Sequence, residues 1–251
     1  MIAALAIGRK GSVGFPGKNI YPVLGKPLSY YPIMAAKQAR YVDKVYVSTD
    51  CPDIARLAKE LDAELIKRPP ELCTNTALGE DVYVHGYKHI RYTLKQDVEF
   101  MVLLHCNSAT VTGELIDQGI EALRKDESLD SATSVSCYNM WSPIRARRIN
   151  KDNLLEPFVP FEAYGNISKI NCDRDSQGDV WFADMSVSIV RPRCLEHIEE
   201  GQLPQRWMGK KIYPLKQWGG CDVDAEWQIP AVEFWLKKNT AKVQANDYQK
   251  T

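Results

Sequence analysis

Two clusters at opposite ends of the chain carry residue types suited to holding phosphate. The first is Gly8-Arg9-Lys10-Gly11-Ser12-Val13-Gly14-Phe15-Pro16-Gly17-Lys18-Asn19, a dozen positions with four glycines, three cations and a hydroxyl. Glycines permit positive φ and let backbone N–H groups approach a ligand closely. Several such N–H groups turned inward form a concave anion site, to which Arg and Lys add charge. Taken alone, the loop also reads as an ordinary basic turn. The second cluster is Asp222-Val223-Asp224, directly after Gly219-Gly220-Cys221. In an extended segment residues two apart point to the same side. The two carboxylates can therefore grip one Mg²⁺ whose other ligands are phosphate oxygens and water. The competing reading makes Asp224 the N-cap of the helix that follows. Together the two clusters compose the halves of a nucleoside triphosphate–magnesium site.

The elements that must position these clusters read as an α/β chain. Met1 to Ile7 is a short apolar run, and Lys44 to Asp50 is a β-branched run with a polar end. With helical patterns at about Ser29–Tyr41 and Pro52–Leu61 and a strand at Glu64–Ile66, they open a β-α-β-α-β series. Ligands of open parallel sheets sit beyond the carboxyl ends of the strands, where the loop after Ile7 and Ser48-Thr49-Asp50 both fall. A helix at about Glu80–Lys95, capped by Asn75 or Thr76, precedes a core strand at Glu99–Leu104 that ends in His105-Cys106-Asn107-Ser108-Ala109. A helix at Gly113–Lys125 and strands at Ser131–Cys137, Val180–Val190 and Lys211–Leu215 follow, with a last helix at about Ala225–Lys238. Between Trp141 and Gln177 the periodicity is lost among prolines, aromatics and Arg145, Arg147 and Arg148. A long irregular segment in a compact domain has a use, so this one reads as a lid or a dimer arm. The arginines read as a solvated face, or as a contact for an acidic acceptor or a neighbouring subunit.

Composition narrows the classes. The 251 residues suit one domain with an excursion, and 45% hydrophobic content supports a sizeable core. Lys+Arg 32 balances Asp+Glu 32, so bulk charge draws in neither nucleic acid nor membrane. The opening residues lack a basic stretch followed by an apolar one, and no run approaches membrane-spanning length. Seven scattered cysteines without a CxxC pair fit a reducing compartment, so a cytoplasmic chain is expected. His85 and His89 share a helix face, but Gly86 stands where a zinc protease has its acid and no third ligand follows.

In order and spacing the chain resembles the CMP-sugar synthetases that activate nonulosonic acids, the acylneuraminate cytidylyltransferases and their legionaminate and pseudaminate relatives. The resemblance rests on Arg9, Ser12, Lys18 and Asn19 after the first strand, then Gly25 to Leu28, Val47 to Asp50 and Arg68 to Leu72. Thr76-Ala77 and the closing Asp222 and Asp224 complete it. It implies a doubly wound, mostly parallel α/β sheet, a Rossmann-like nucleotidyltransferase domain over 1–251 with residues 141–177 protruding toward a partner in a homodimer. It further implies attack of an acceptor oxygen on the α-phosphorus of CTP, with release of pyrophosphate. Arg9, Ser12, Lys18 and Asn19 would hold the triphosphate, Arg68, Ala77 and Gly79 would border the cytosine, and Asp222 and Asp224 would carry Mg²⁺. Lys18, Arg9 and Asp222 would be the catalytic groups.

The departures fall on the acceptor side. Where the family writes Leu-Gln-Pro-Thr-Ser-Pro-Leu, this chain has Leu104 to Thr110, so His105, Asn107 and Ser108 are expected to line the acceptor pocket, His105 as wall or as base. Asp184 stands near the family's Arg-Pro-Asn-Gly, with Arg174 upstream at the family's spacing; both join the expected acceptor set. Val13 replaces the usual lysine after the loop serine. A phosphonate or 3-deoxy-octulosonate acceptor is the rival within enzymes, although the Gln-Gly-Asp-Glu-Pro of octulosonate enzymes is absent. A nucleotide-binding module without turnover is the rival of another class.

Overall fold

The computed structural model describes residues 1–175 and 177–248; position 176, inside the expected excursion, and positions 249–251 lie outside the described residues. The chain order is β1 (Ile2–Gly8), a ribbon of β2 (Pro22–Val23) and β3 (Lys26–Pro27), α1 (Tyr30–Gln38), β4 (Lys44–Thr49), α2 (Pro52–Glu60) and β5 (Glu64–Lys67). It continues with α3 (Gly79–Lys88), β6 (Phe100–His105), α4 (Gly113–Lys125) and β7 (Ser131–Cys137). A second ribbon, β8 (Arg147–Ile149) with β9 (Leu155–Pro157), precedes β10 (Trp181–Val190), α5 (Arg193–Glu196), β11 (Ile212–Gln217) and α6 (Ile229–Tyr248).

Seven strands form the main sheet in the order β11-β7-β10-β6-β1-β4-β5. Neighbours run parallel except β10, which is antiparallel to both β6 and β7. The interior strand β1 is buried along its whole length, as its unbroken apolar sequence requires of a strand covered on both faces. Ile2, Ala4 and Ala6 pack with Ile33 of α1, Ile54 of α2 and Ile116 of α4. Ala3, Leu5 and Ile7 pack on the other face with Tyr83 and Tyr87 of α3 and with Trp207. This alternation is what makes the sheet doubly wound.

A third apolar cluster lies at the sheet's carboxyl edge. It joins Phe15 of the glycine loop to Val223, and to Ile229, Val232, Trp235 and Leu236 of α6. Chain ends more than 200 residues apart are thereby held against each other.

Several expected bounds move. α1 stops at Gln38 because Ala39 turns extended. α3 ends at Lys88 and winds on as a π-helical turn over His89–Thr93. Neither Asn75 nor Thr76 caps α3: its N-cap is Leu78, with no side-chain bond, and Glu80 and Asp81 supply negative charge to the first turn. The last helix begins later than expected, after a 3₁₀ turn at Glu226–Gln228. Between β7 and β10 the chain makes short 3₁₀ turns around the second ribbon. The arginines of that segment serve its own turns. Arg145 donates to the Cys172 carbonyl at 2.8 Å, Arg147 donates to the Ile144 carbonyl and lies over the Phe161 ring, and Arg148 pairs with Glu156 at 2.6 Å. No helix among the described residues is long and apolar enough to cross a membrane.

Candidate active site

β1, β4 and β6 end on one edge, and β7 and β11 run the same way, so the loops after all five open onto that edge. An open cavity of about 440 Å³ lies outside the carboxyl end of β1. The order of the sheet reverses there, because the chain leaves β1 for β4 on one side and later adds β6 on the other. Arg9, Ser12, Lys18, Asn19, Arg68, Ala77, Gly79, His105, Asn107, Asp222 and Asp224 all line this cavity. Their positions span nearly the entire sequence, yet they share one space.

Each side chain is placed by identifiable contacts. Gly17, at φ 75°, turns the loop into a 3₁₀ turn over Lys18–Ile20, a conformation costly for a residue with a Cβ. Buried Asn19 donates to the Arg9 carbonyl at 3.1 Å and ties the loop's end to its beginning. The Arg9 guanidinium is aimed by the Thr74 carbonyl at 3.0 Å and by Asn75 Oδ1 at 2.5 Å. The Asp50 carboxylate accepts from the Lys10 amide at 2.8 Å, so the end of β4 anchors the loop's base. Arg68, buried, donates to the carbonyl and the hydroxyl of Ser48 at the end of β4. Burial lowers the guanidinium pKa of Arg68, partly offset by Asp50.

The carboxylate pair follows the alternation its sequence implies. Val223 is fully buried in the apolar cluster, and Asp222 and Asp224 on either side of it both face the cavity. Asn107 fixes this strand-like segment. Its carbonyl accepts from the Val223 amide at 2.9 Å, and its Nδ2 donates to the Val223 carbonyl at 2.9 Å and to Asp222 Oδ2 at 3.4 Å. Asp224 does not cap the last helix; its side chain meets Lys18 Nζ at 2.5 Å. Burial and the neighbouring Asp224 charge raise the Asp222 pKa. A cation beside the pair would favour the charged form of both carboxylates. Two hard oxygen donors of this kind suit a divalent cation that completes its shell with phosphate oxygens and water.

Three expected acceptor residues are not brought to this cavity. Arg174 is exposed in the excursion and pairs with Asp175 at 2.9 Å. Ser108 is buried behind the wall and donates to the Cys221 carbonyl at 3.2 Å. Asp184 is 5% exposed and receives donors from Ser134, Ser136 and Gln217, which leaves it supporting the fold beside the site. Polar residues at a strand's end are expected to open onto a ligand, whereas here the loops pack on one another. Missed from sequence were Asn75, read as a helix cap, and the apolar wall of Leu72, Leu78 and Val82.

A profile described as cytidylyltransferase matches residues 3–179. The CMP-N,N'-diacetyllegionaminic acid synthase of Legionella pneumophila is 32% identical over 240 residues, covering 86% of this chain and 97% of that protein. The chain belongs to the cytidylyltransferase family. An N-acylneuraminate cytidylyltransferase of Oncorhynchus mykiss is 40% identical over 228 residues. The match covers 91% of this family member but 49% of the trout protein, so the chain spans about half that relative's length. Among solved structures, a CMP:2-keto-3-deoxy-manno-octonic acid synthetase complexed with CTP has a TM-score of 0.66 at 16% identity, covering 95% of this chain and 99% of that one. A 4-diphosphocytidyl-2C-methyl-D-erythritol synthase has a TM-score of 0.64 at 10% identity, covering 94% and 97%. At such identities these likenesses concern the cytidylyltransferase fold.

The His105 ring sits edge-on to Tyr83 and Trp207, with centroids at 5.5 Å and 6.3 Å. Burial, and secondarily the Lys18 charge, lower its pKa from 6.5 to about 4. The folded chain thus refuses a proton that the unfolded chain accepts. Its contribution to stability is complete above pH ~6.5 and is lost as pH falls toward 4. Urea unfolding of wild type and His105→Gln at pH 7 and pH 4.5 should show the larger loss in wild type. Equal losses would mean that the ring protonates freely in the folded protein.

Proposed function

We propose that the protein transfers CMP from CTP to a hydroxyl of an acidic sugar of the nonulosonic class and releases pyrophosphate. The observation that carries this reading is the meeting, in one cavity, of the Arg9–Asn19 loop with Asp222 and Asp224. The names of the trout and Legionella relatives support the nucleotide and the acceptor class.

In this reading the loop amides, Arg9, Ser12, Lys18 and Asn19 bind the triphosphate, and Arg68 with the Ala77–Gly79 backbone borders the cytosine. The acceptor oxygen forms a bond to the α-phosphorus as the bond to the bridging oxygen of pyrophosphate breaks. Such a transfer depends on in-line positioning and charge stabilisation rather than on a covalent protein group. Lys18 exchanges its Asp224 partner for phosphate oxygens and meets the charge that develops on the leaving group. Asp222 and Asp224 would hold Mg²⁺, which supplies further neutralisation of the phosphates when bound. His105 and Asn107 form the wall beside the reacting phosphorus. The lowered pKa of His105 suits a neutral hydrogen-bonding surface better than a proton acceptor.

We also propose a homodimer formed through the Trp141–Gln177 segment. In its support, Trp141, Ile149, Leu154, Leu155 and Phe158 are exposed there, an unusual load of apolar side chains for a free surface.

Pyrophosphate release should require CTP, Mg²⁺ and a nonulosonate. Lys18→Ala and Asp222→Ala should each slow it by about 10²–10³-fold, the scale of removing one charge-stabilising group. Folded variants that turn over at the wild-type rate would refute the site, and a panel in which only an octulosonate or a phosphonate is accepted would refute the acceptor class. Sedimentation at micromolar protein should give twice the chain mass; the mass of a single chain would refute the dimer.

A further inference from the structure

Asp184 forms no ion pair among the described residues, lies outside the cavity and is buried, an arrangement that demands a physical reason. We infer that Asp184 is a positioning residue whose carboxylate fixes the Gly219–Asp224 segment against the sheet and so sets where Asp222 and Asp224 stand. This inference rests on the reading of those two aspartates as the metal-holding pair.

The carboxylate sits in a bulge of β10, where pairing with β7 shifts register between Ala183 and Ser188. Met185 adopts φ 61° there, a strained conformation for a side chain of that kind. The Asp184 carboxylate reaches from β10 across β7 to Gln217 at the end of β11. Its Oδ1 accepts from Ser134 Oγ at 2.5 Å and from the Ser186 amide at 3.1 Å. Its Oδ2 accepts from Ser136 Oγ at 2.7 Å and from Gln217 Nε2 at 2.9 Å. Four donors satisfy the charge without a cation.

Two of those donors pass the constraint onward. Because Ser136 directs its hydroxyl proton to Asp184, its lone pairs are left to accept from the Gly220 amide at 2.9 Å. Gln217 also donates to the Thr110 carbonyl at 3.1 Å, and Thr110 Oγ1 in turn accepts from the Cys221 amide at 2.9 Å. Gly220 lies directly on the carboxylate, since a Cβ there would stand 2.2 Å from Asp184 Oδ2. Residues 220 and 221 are thus held immediately before Asp222. An acceptor-only group is needed at both oxygens. An amide in its place would present N–H groups either to Ser134 and the Ser186 amide or to Ser136 and Gln217, and would set a donor against a donor in either orientation. Fully satisfied buried networks of this kind specify a single geometry.

The test compares wild type, Asp184→Asn, Ser136→Ala and Asp222→Asn. Amide hydrogen exchange at Gly220, Cys221 and Val223 should accelerate about tenfold or more in Asp184→Asn and in Ser136→Ala, while the interior strand β1 keeps its protection. The Mg²⁺ concentration for half-maximal pyrophosphate release should rise about tenfold in both, with the KM for CTP at saturating Mg²⁺ unchanged. Asp222→Asn should abolish the Mg²⁺ response and leave exchange at those amides as in wild type. Wild-type exchange in folded Asp184→Asn would overturn the inference. Should Asp184→Asn fail to fold, Ser136→Ala decides, because it removes the hydroxyl that relays Asp184 to Gly220 and leaves the carboxylate its donors from Ser134, the Ser186 amide and Gln217. If Asp222→Asn kept its Mg²⁺ response, the metal reading would fall, and the exchange data would still decide whether Asp184 positions the segment.

Discussion

The structure depends on one apolar cluster that gathers a side chain of the glycine loop and the residue between the two aspartates. Phe15 and Val223 share the dry cluster at the edge of the sheet. Burying them there leaves Lys18 and the two aspartates at the mouth, where Lys18 Nζ and Asp224 Oδ1 approach to 2.5 Å. The ion pair contributes little by itself, since Asp224 is 70% exposed and water screens such a pair. Apolar burial does the holding, and the charges are carried to where it places them. The same geometry explains how two neighbouring carboxylates persist beside each other in a folded protein. Lys18 partly neutralises Asp222 and Asp224, and it is free to move when phosphate oxygens offer a better partner.

Much of this was legible in the sequence because periodicity and glycine placement report local constraints. The helix at Gly113–Lys125 and the strand at Ser131–Cys137 have the expected bounds, since each carries a full pattern of buried positions. The glycine loop and the Asp-Val-Asp alternation were legible for the same reason: a positive φ and a two-residue repeat are properties of short segments. Arg68, Ala77 and Gly79 came instead from the resemblance, and the structure brings them to the same cavity.

What was not legible depends on packing between distant segments. Nothing local distinguishes Asp184 from a ligand-facing carboxylate; its burial follows from a register shift in β10 and from serines on β7. Ser108 is withdrawn because the 220–224 segment lies over it. Asn75 exchanges a helix-capping role for the Arg9 guanidinium because α3 begins three residues later, at Leu78 and Gly79. Polar residues near a site therefore divide into those that meet ligand and those that hold the loops. Only the tertiary contacts separate the two groups.

The most direct measurement is a crystal structure of the protein with CTP and Mg²⁺. The account predicts the triphosphate between the Arg9–Asn19 loop and Asp222 and Asp224, with the cation on both carboxylates. Lys18 should have left Asp224 for phosphate oxygens, and Phe15 and Val223 should remain buried in their shared apolar cluster. A nucleotide bound elsewhere, with the Lys18–Asp224 pair intact, would contradict it.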